Sequence, residues 1–152
     1  MEIVETTDAA LATALEGTLG RTFGLFRSLS QPSGLSMTAA TTLSTLERNG
    51  PSRLTALAAR EGVTQPAMTQ LITRLADAGL VCREPDPDDG RVVRVTITGE
   101  GRATLARRRA KRAEKLTVIL AQLAPAHRAA LAAALPALDA LASASPSTKE
   151  YN

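Results

Sequence analysis

The sequence contains few aromatic residues and almost none of the side chains that form disulfides or metal sites. Aromatic residues make up 2% of its 152 residues, and tryptophan is absent. Domains that bind RNA or single-stranded DNA on an open sheet stack bases on aromatic side chains, so the composition disfavours that class. The single cysteine, Cys82, and the single histidine, His127, exclude a disulfide within the chain and a zinc site of ordinary ligand composition. The core must therefore be built from leucine, valine, isoleucine and alanine.

No stretch has the features of a secretion signal, a membrane span or an enzyme active site. Residues 1–5 lack the basic start and apolar run of a signal, and the apolar C-terminal region is interrupted by polar residues and prolines. A nucleophile, a base and an orienting group do not occur as a recognisable set, and there is no glycine-rich phosphate loop. We expect a cytoplasmic protein that is not an enzyme, with no cofactor, no catalytic residue and no metal site.

The length is that of one domain, and the chain is basic, but its charge is unevenly distributed. The net charge is +3 at pH 7. Between residues 50 and 100, however, seven acids accompany six arginines, so this part is nearly neutral, and any binding of phosphates there would depend on a few well-placed arginines and on helix N-termini. From Arg102 to Lys115, seven basic residues accompany one acid. That run is compatible with a solvated helix face or with a surface that faces phosphates.

The spacing of apolar residues predicts a series of helices. Leucines and phenylalanines from Leu11 to Phe26 recur every three or four residues, which indicates one apolar stripe on a long first helix. The segment Gln31 to Gly34 is expected to end it. Ser36 is the predicted N-cap of a second helix, and Ser52 the predicted N-cap of a short third helix.

A glycine turn is predicted between the third helix and a fourth. Gly62 can adopt the positive φ of a sharp turn, and Thr64 is the predicted N-cap of the fourth helix. Pro66 then falls in the first turn, where the missing N–H costs nothing, and Gly79 is expected to end the helix. Two short helices joined in this way are typical of a helix-turn-helix motif.

The two sides of the fourth helix differ in chemistry. Met68, Leu71, Ile72 and Leu75 share one side, and the opposite side carries short polar residues instead of glutamates and lysines. A helix that enters the DNA major groove, about 12 Å wide, benefits from short polar side chains and methyl groups that meet base edges. The pattern favours insertion into a groove over an ordinary solvated surface.

The segment "EPDPDDGRVVRVTIT", Glu84 to Thr98, predicts a β-hairpin that follows the helix-turn-helix directly. A turn-rich stretch precedes alternating residues from Val93 to Thr98. Such a hairpin is the wing of a winged helix, and its tip can place an arginine in the minor groove. We expect Asp89 to accept hydrogen bonds from the guanidinium of Arg91 and from N–H groups of the turn, which would restrict the arginine before DNA binds.

The acids of this segment are also compatible with two other interpretations. The acids and prolines are also good turn formers, in which case Arg91 is a solvated strand residue. Asp86 and Asp88 begin like a calcium-binding loop, but Gly90 lies one place early and no glutamate closes the loop. A calcium site is therefore excluded.

The stretch "LTALAAREGVTQPAMTQLITRLADAGLVCREPDPDDGRVVRVTITGEGR", Leu54 to Arg102, resembles the winged helix-turn-helix of the MarR family of bacterial transcriptional regulators. The likeness lies in the G-V-T turn, the "LITRLADAGLV" helix end, the D-x-R that ends at Arg91 and the T-x-x-G that ends at Gly101. The resemblance implies a mainly α fold with a small β-hairpin, in a single domain over residues 1–152. It places a winged-helix DNA-binding lobe at residues 36–100 between dimerisation helices at 7–30 and 101–143, followed by a disordered tail at 144–152.

The resemblance also implies a function. The protein is expected to be a homodimer that binds a pseudo-palindromic double-stranded DNA operator, and to be a repressor that a small organic anion releases. In that reading Arg91 is the wing arginine, Asp89 supports it, and Arg21 and Arg27 reach a ligand cleft. The residues expected to contact DNA from the fourth helix are Gln65, Pro66, Ala67, Thr69, Gln70, Thr73 and Arg74.

Three alternatives stay open at this point. The winged helix could instead be a protein-interaction module whose wing acids meet a basic partner. The apolar stripes of the first helix and of residues 116–141 exceed what a DNA-binding lobe needs, but they could pack within a monomer instead of forming a dimer. Cys82 is interpreted as a small packed residue, with a redox sensor as the alternative.

Overall fold

The computed structural model describes residues 7–29 and 35–144. The segment Gln31 to Gly34, predicted to end the first helix, lies outside the described residues. Of the tail predicted at 144–152 only Ala144 is described, and its N–H donates to the carbonyl of Ala140 at 3.0 Å. The elements follow in the order α1 (Asp8–Leu29), α2 (Met37–Asn49), β1 (Ser52–Arg53), α3 (Leu54–Glu61), α4 (Gln65–Asp77), β2 (Val81–Pro85), β3 (Val93–Ile97), α5 (Gly99–Ala121) and α6 (Pro125–Ser143).

The chain divides into two compact units, residues 1–113 and 114–152, and the division falls within α5. The first unit contains α1 to α4, the three strands and the first part of α5. The second contains the end of α5 and all of α6. A short turn joins these two helices, where the N–H of Leu123 donates to the carbonyl of Leu120 at 3.1 Å and Pro125 occupies the first turn of α6.

The core of the first unit lies between α2, α3, α4, the sheet and the start of α5. The large side chains with the deepest burial are Leu43, Leu46, Leu57, Met68, Ile72, Val95, Leu105 and the polar Thr42. The core is mainly aliphatic, as predicted, with one methionine and one threonine added. Burial of each such apolar side chain contributes about 1.5–3 kcal/mol to folding, so this cluster holds α4 firmly in one orientation.

Local signals predicted most helix ends correctly. Ser36 caps α2 by accepting the N–H of Ala39 at 3.1 Å, and Thr64 caps α4 by accepting the N–H of Ala67 at 3.4 Å. The prediction for Ser52 was wrong. Ser52 lies in β1, its hydroxyl donates to the carbonyl of Gly50, and α3 begins two residues later at Leu54, with Arg53 at the N-cap position and no side-chain cap. Pairing of the Ser52 backbone with β3 keeps this residue extended and delays the helix.

The sheet has three antiparallel strands in the order β1-β3-β2. The predicted hairpin is confirmed in β2 and β3, in which Val81 pairs with Ile97 and Glu84 with Arg94. The two-residue strand β1 was not predicted, since two residues are too short for an alternating pattern. It joins the open edge of β3, so the wing becomes part of a sheet that also includes the residues directly before α3.

The junction between α4, β3 and α5 explains the T-x-x-G motif. The hydroxyl of Thr98 donates to the carbonyl of Gly79 at 2.6 Å and accepts the N–H of Gly101 at 3.0 Å. A Cβ atom at Gly101 would overlap the carbonyl oxygen of Leu80 and the side chain of Ile97. The motif therefore packs the first turn of α5 directly against the end of α4.

The outer helices expose apolar stripes in the single chain. Within the described part of the chain, α1 has no buried residue, and Leu11 and Phe23 are 47% and 54% exposed. Helix α6 likewise has none, and it exposes the row Leu131, Leu135, Leu138 and Leu141. No helix among residues 7–29 and 35–144 is long and apolar enough to cross a membrane.

Candidate nucleic-acid interface

Helix α4 presents one buried and one exposed side, as its sequence predicted. Met68, Leu71, Ile72 and Leu75 are buried in the core. Gly62 ends α3 with a φ of 64°, in the left-handed region that favours glycine, and so turns the chain into α4. The residues expected to contact DNA are all exposed, namely Gln65, Pro66, Ala67, Thr69, Gln70, Thr73 and Arg74.

The threonines on the exposed side use their hydroxyl protons within the helix. The hydroxyl of Thr69 donates to the carbonyl of Gln65, and that of Thr73 donates to the carbonyl of Thr69, each at 2.9 Å. The threonines therefore present methyl groups and oxygen lone pairs to the outside. Such a surface suits thymine methyl groups and the amino donors of adenine and cytosine, while Gln70 can both donate and accept.

An arginine of the wing strand contacts this side of α4. Nη2 of Arg83 donates to Oγ1 of Thr73 at 2.6 Å. Arg83 is two residues from the buried Val81 along β2. Residues two apart in a strand point to the same face, so both side chains lie on the sheet face that packs against α4. Arg83 was not among the residues predicted to contact DNA, although the period-two pattern of β2 could have placed it on that face.

Asp89 shapes the tip of the wing without binding the guanidinium of Arg91. Its carboxylate accepts the backbone N–H of Arg91 at 3.1 Å, and its carbonyl accepts the N–H of Val92 at 2.9 Å. The guanidinium of Arg91 makes no ion pair with Asp89, which corrects that part of the prediction. A carboxylate two residues earlier in a tight turn reaches the N–H more readily than the end of a long side chain. Arg91 itself is exposed.

The carboxylate that holds an arginine at the wing is Asp86. It is 5% exposed, its Oδ2 accepts Nε of Arg53 at 3.0 Å, and its Oδ1 accepts the N–H of Asp88 at 2.9 Å. The hydrogen bond from Asp88 lowers the pKa of the Asp86 carboxyl, and Arg53 adds to this effect against the opposing effect of desolvation. No local pattern links Asp86 to Arg53, so sequence reasoning did not find the pair.

A cavity of about 490 Å³ lies beside α4, between the start of α2 and the first turns of α5. Ser36, Arg74 and Thr104 supply its polar groups, and its apolar lining is formed by Leu35, Ala39, Leu71, Leu75, Ala78 and Leu80. Arg74 thus belongs both to the exposed side of α4 and to the cavity wall. Arg21 and Arg27, predicted to reach a ligand cleft, do not line this cavity, and Nη2 of Arg21 donates to Thr18 within α1.

Cys82 lies half-buried on β2, with its sulfur 3.7 Å from a carboxylate oxygen of Glu84. Burial raises the pKa of the Cys82 thiol, and the charge of Glu84 raises it further. A raised pKa reduces the thiolate fraction, which supports the interpretation of a packed residue. Among residues 7–29 and 35–144, no group of three or more histidine, cysteine, aspartate or glutamate side chains is arranged to bind a metal ion.

A β-hairpin that directly follows a helix-turn-helix and pairs with a short strand before it defines the winged-helix class, and the comparisons agree. The model of the MarR family matches residues 35–93. HTH-type transcriptional regulators of Mycobacterium bovis and Mycobacterium tuberculosis are each 40% identical to this chain over 121 residues, which are 80% of this chain and 83% of each relative. The crystal structure of a transcriptional regulator protein from Pseudomonas aeruginosa is similar with a TM-score of 0.77 and 29% identity, over 93% of this chain and 99% of that one. The chain belongs to the MarR family of DNA-binding transcriptional regulators.

Proposed function

We propose that the protein is a sequence-specific repressor that binds a pseudo-palindromic duplex operator as a homodimer, with α4 in the major groove. The observation that carries the proposal is the exposed side of α4, which has short hydrogen-bonding side chains and methyl groups directly opposite four buried apolar residues. Side chains this short allow the helix to enter a major groove and to contact the base edges there. The buried side holds the helix in a fixed orientation, as groove recognition requires.

The wing supplies the second contact in this proposal. Arg91 is exposed at the end of a turn that Asp89 closes, and it enters the minor groove beside the major-groove site, where the negative potential is concentrated. Because residues 50–100 are nearly neutral, two such lobes are needed for useful affinity. A dimer provides them on half-sites about one helical turn, roughly 34 Å, apart.

The exposed apolar stripes support the dimer. Helices α1 and α6 have no buried residue in the single chain among those described, yet each carries a row of large apolar side chains. Large exposed apolar surface of this kind is typical of an interface. The many alanines of α6 permit close approach of a second helix.

A small organic anion is the proposed signal for release. The cavity beside α4 is mainly apolar, and Arg74 offers a cation at its wall. A carboxylate ligand would compete with DNA for this arginine and favour a dimer geometry that does not match the operator, because only a differential affinity for two states shifts their populations. BpsR of Bordetella bronchiseptica, a structural neighbour, is a protein whose DNA binding is regulated by 6-hydroxynicotinic acid. Arg21 and Arg27 remain part of the proposal as residues that reach a ligand site completed by the dimer.

Mobility-shift and fluorescence-anisotropy titrations on the promoter region of the protein's own gene test the DNA-binding proposal. We expect a selective shift over unrelated DNA, a loss of affinity of about tenfold or more for Gln70→Ala and for Arg91→Ala, and none for the control Arg48→Ala, which changes an exposed arginine at the end of α2. Absence of any sequence-selective binding at low and moderate salt would disprove the proposal.

The ligand part is tested with 6-hydroxynicotinic acid as the first of a series of aromatic carboxylates. We expect release of DNA by at least one of them, and loss of that response in Thr104→Leu, which fills the cavity away from the DNA-contacting side. If no carboxylate of the series changes the affinity, the ligand-release proposal fails while the DNA-binding proposal stands.

The alternative is a winged-helix module that binds a basic protein through its wing acids. Exposed Asp88 and Glu84 favour it. Two other wing carboxylates are already engaged, however, since Asp86 binds Arg53 and Asp89 accepts N–H groups of the turn. The titrations above separate the two proposals, because an interaction module would be indifferent to DNA sequence and to Gln70→Ala.

A further inference from the structure

One buried carboxylate joins the wing to the start of the helix-turn-helix. Asp86 lies directly after β2 at the beginning of the wing turn, and Arg53 lies directly before α3. Nε of Arg53 and Oδ2 of Asp86 are 3.0 Å apart, and the side chain of Asp86 is 4% exposed while that of Arg53 is 50% exposed. A charge-assisted hydrogen bond to a buried acceptor has a well-defined geometry. The contact therefore links two elements that are 33 residues apart in the sequence.

The local charges show why Arg53 needs this carboxylate. Arg53 and Arg94 are directly opposite each other on β1 and β3. Like charges in that position destabilise a sheet. Arg53 turns to Asp86, and Nη2 of Arg94 is 3.5 Å from the carbonyl of Pro51. Glu84 lies opposite Arg94 on β2, so removal of the Asp86 charge would leave one carboxylate beside the two arginines at the point where β1 meets the wing.

The rest of the wing turn is held by bonds within itself. The N–H of Asp86 donates to the carbonyl of Val92 at 2.8 Å, and the N–H of Val92 donates to the carbonyl of Asp89 at 2.9 Å. These bonds fix the shape of the turn but not its direction relative to α3 and α4. The ladder between β1 and β3 has only two residue pairs, so it constrains that direction weakly. The bridge between Asp86 and Arg53 adds a constraint at the start of the turn itself, beyond the hydrogen bond from Arg83 to Thr73 further back on β2.

On the basis of the proposed function, we propose that Arg53 and Asp86 are positioning residues that direct the wing, so that Arg91 meets the minor groove while α4 occupies the major groove. They act through the wing and need not touch DNA themselves. A wing that is already in place loses less conformational entropy on binding than one that must be ordered by DNA.

A double-mutant cycle with Arg91→Ala tests this role. The set consists of Asp86→Asn, Arg53→Gln and Arg91→Ala, with the Arg91→Ala combinations of the first two. We expect each single change at Asp86 or Arg53 to weaken operator binding about tenfold. In the Arg91→Ala background the same changes should cost less than about twofold, because the side chain that they position is gone. Arg53→Lys, which keeps a cation beside Asp86, should recover part of the affinity.

The matched control is Asp88→Asn, which removes an equal charge from an exposed side chain of the same turn. It should not weaken binding. Hydroxyl-radical footprints should show minor-groove protection by the wing lost in Asp86→Asn, while protection of guanine N7 from dimethyl sulfate, which reports the major-groove contacts of α4, is retained. A general loss of folding would reduce both protections together.

The outcomes separate this inference from the function on which it rests. If the unchanged protein binds no DNA selectively, the proposed function fails and this role fails with it. If it binds, but the losses at Asp86 and Arg53 add fully to that of Arg91→Ala, the positioning role alone is overturned. If circular dichroism shows Asp86→Asn to be unfolded, the Arg53→Gln series decides by the same criterion, since that side chain is half-exposed.

Discussion

Arg83 of β2 donates a hydrogen bond from Nη2 to Oγ1 of Thr73 on α4, at 2.6 Å. The hydroxyl of Thr73 in turn donates to the carbonyl of Thr69. A wing strand and the exposed side of α4 are thereby joined by side chains that are both exposed. The contact orients Thr73 and places a positive charge beside the face proposed to enter the groove.

Replacement of Arg83 should therefore affect DNA binding more than folding. We expect Arg83→Ala to weaken operator binding by about threefold to tenfold, because Thr73 is no longer oriented and a contribution of about 0.7–1.4 kcal/mol, that of one ordinary hydrogen bond, is lost. The free energy of unfolding should change by less than about 0.5 kcal/mol, as is usual for exposed sites. Binding and urea-unfolding titrations of Arg83→Ala and the control Arg48→Ala measure both. An unchanged affinity would show that the contact has no part in recognition.

The close approach of α5 to the end of α4 predicts a large effect of a single methyl group. We expect Gly101→Ala to destabilise the protein by about 2–3 kcal/mol, since its Cβ would overlap the carbonyl oxygen of Leu80. Gly99→Ala is the matched control, because nothing lies within 4 Å of a Cβ at that position. Thermal and urea unfolding of the two variants provide the comparison. If Gly101→Ala and Gly99→Ala are equally stable, the close contact between Gly101 and Leu80 is contradicted.

The Asp86 carboxyl predicts a dependence of stability on pH. Its pKa is lowered in the folded protein by the hydrogen bond from Asp88 and by Arg53, below the ordinary value of 3.8. A carboxyl of this kind stabilises the fold at pH values above 3.8, and that contribution is lost as the pH falls from 3.8 through the lowered pKa of the folded state.

Urea unfolding of the unchanged protein and of Asp86→Asn between pH 7 and pH 3 tests this dependence. At pH 7 the free energy of unfolding of the unchanged protein should be larger than that of Asp86→Asn. The difference between the two free energies should shrink on acidification. Asp88→Asn controls for the removal of a carboxylate from the wing. If this difference in the free energy of unfolding is constant or grows as the pH falls, the pKa of Asp86 is not lowered in the folded protein.

The environment of Cys82 predicts slow reaction with alkylating reagents. Burial and the charge of Glu84 raise the pKa of the thiol, so less thiolate is present at neutral pH than for a free cysteine. Glu84→Gln should increase the rate of alkylation by iodoacetamide at pH 7.5, because it removes a negative charge 3.7 Å from the sulfur. Glutathione and the variant Asp88→Asn serve as references. A rate equal to that of glutathione in the unchanged protein would contradict the prediction.

The apolar row on α6 predicts a variant that is folded but monomeric. Leu135 is 59% exposed in the single chain, so Leu135→Glu should leave the helix intact while it places a charge in the proposed dimer interface. The matched control is Ala129→Glu, an exposed position on the opposite side of the same helix. Light scattering should give the dimer mass for the control and the monomer mass for Leu135→Glu, with equal helix content. A monomeric unchanged protein would refute the dimer.

The sequence predicted the local parts of the fold and of the site correctly. Caps at Ser36 and Thr64, the turn at Gly62 and the apolar side of α4 depend on residues within a few positions of each other, and all were confirmed. The wing hairpin was also predicted from its alternation. The DNA-contacting role of Arg91 and of the exposed side of α4 stays a prediction.

The sequence alone therefore determined the apolar faces of the helices and strands and most of the helix ends. Hydrogen bonds between neighbouring residues and the burial of one helix side are encoded locally. Only the tertiary structure decided that Ser52 joins a strand, that Asp86 binds Arg53 and that Arg83 reaches Thr73. Each of these contacts joins residues that are distant in sequence, from 10 positions for Arg83 and Thr73 to 43 for Ser52 and Val95, and no local pattern reports such a distance. They arise because the core closes the sheet against α3 and α4, which brings side chains together that the chain order leaves apart.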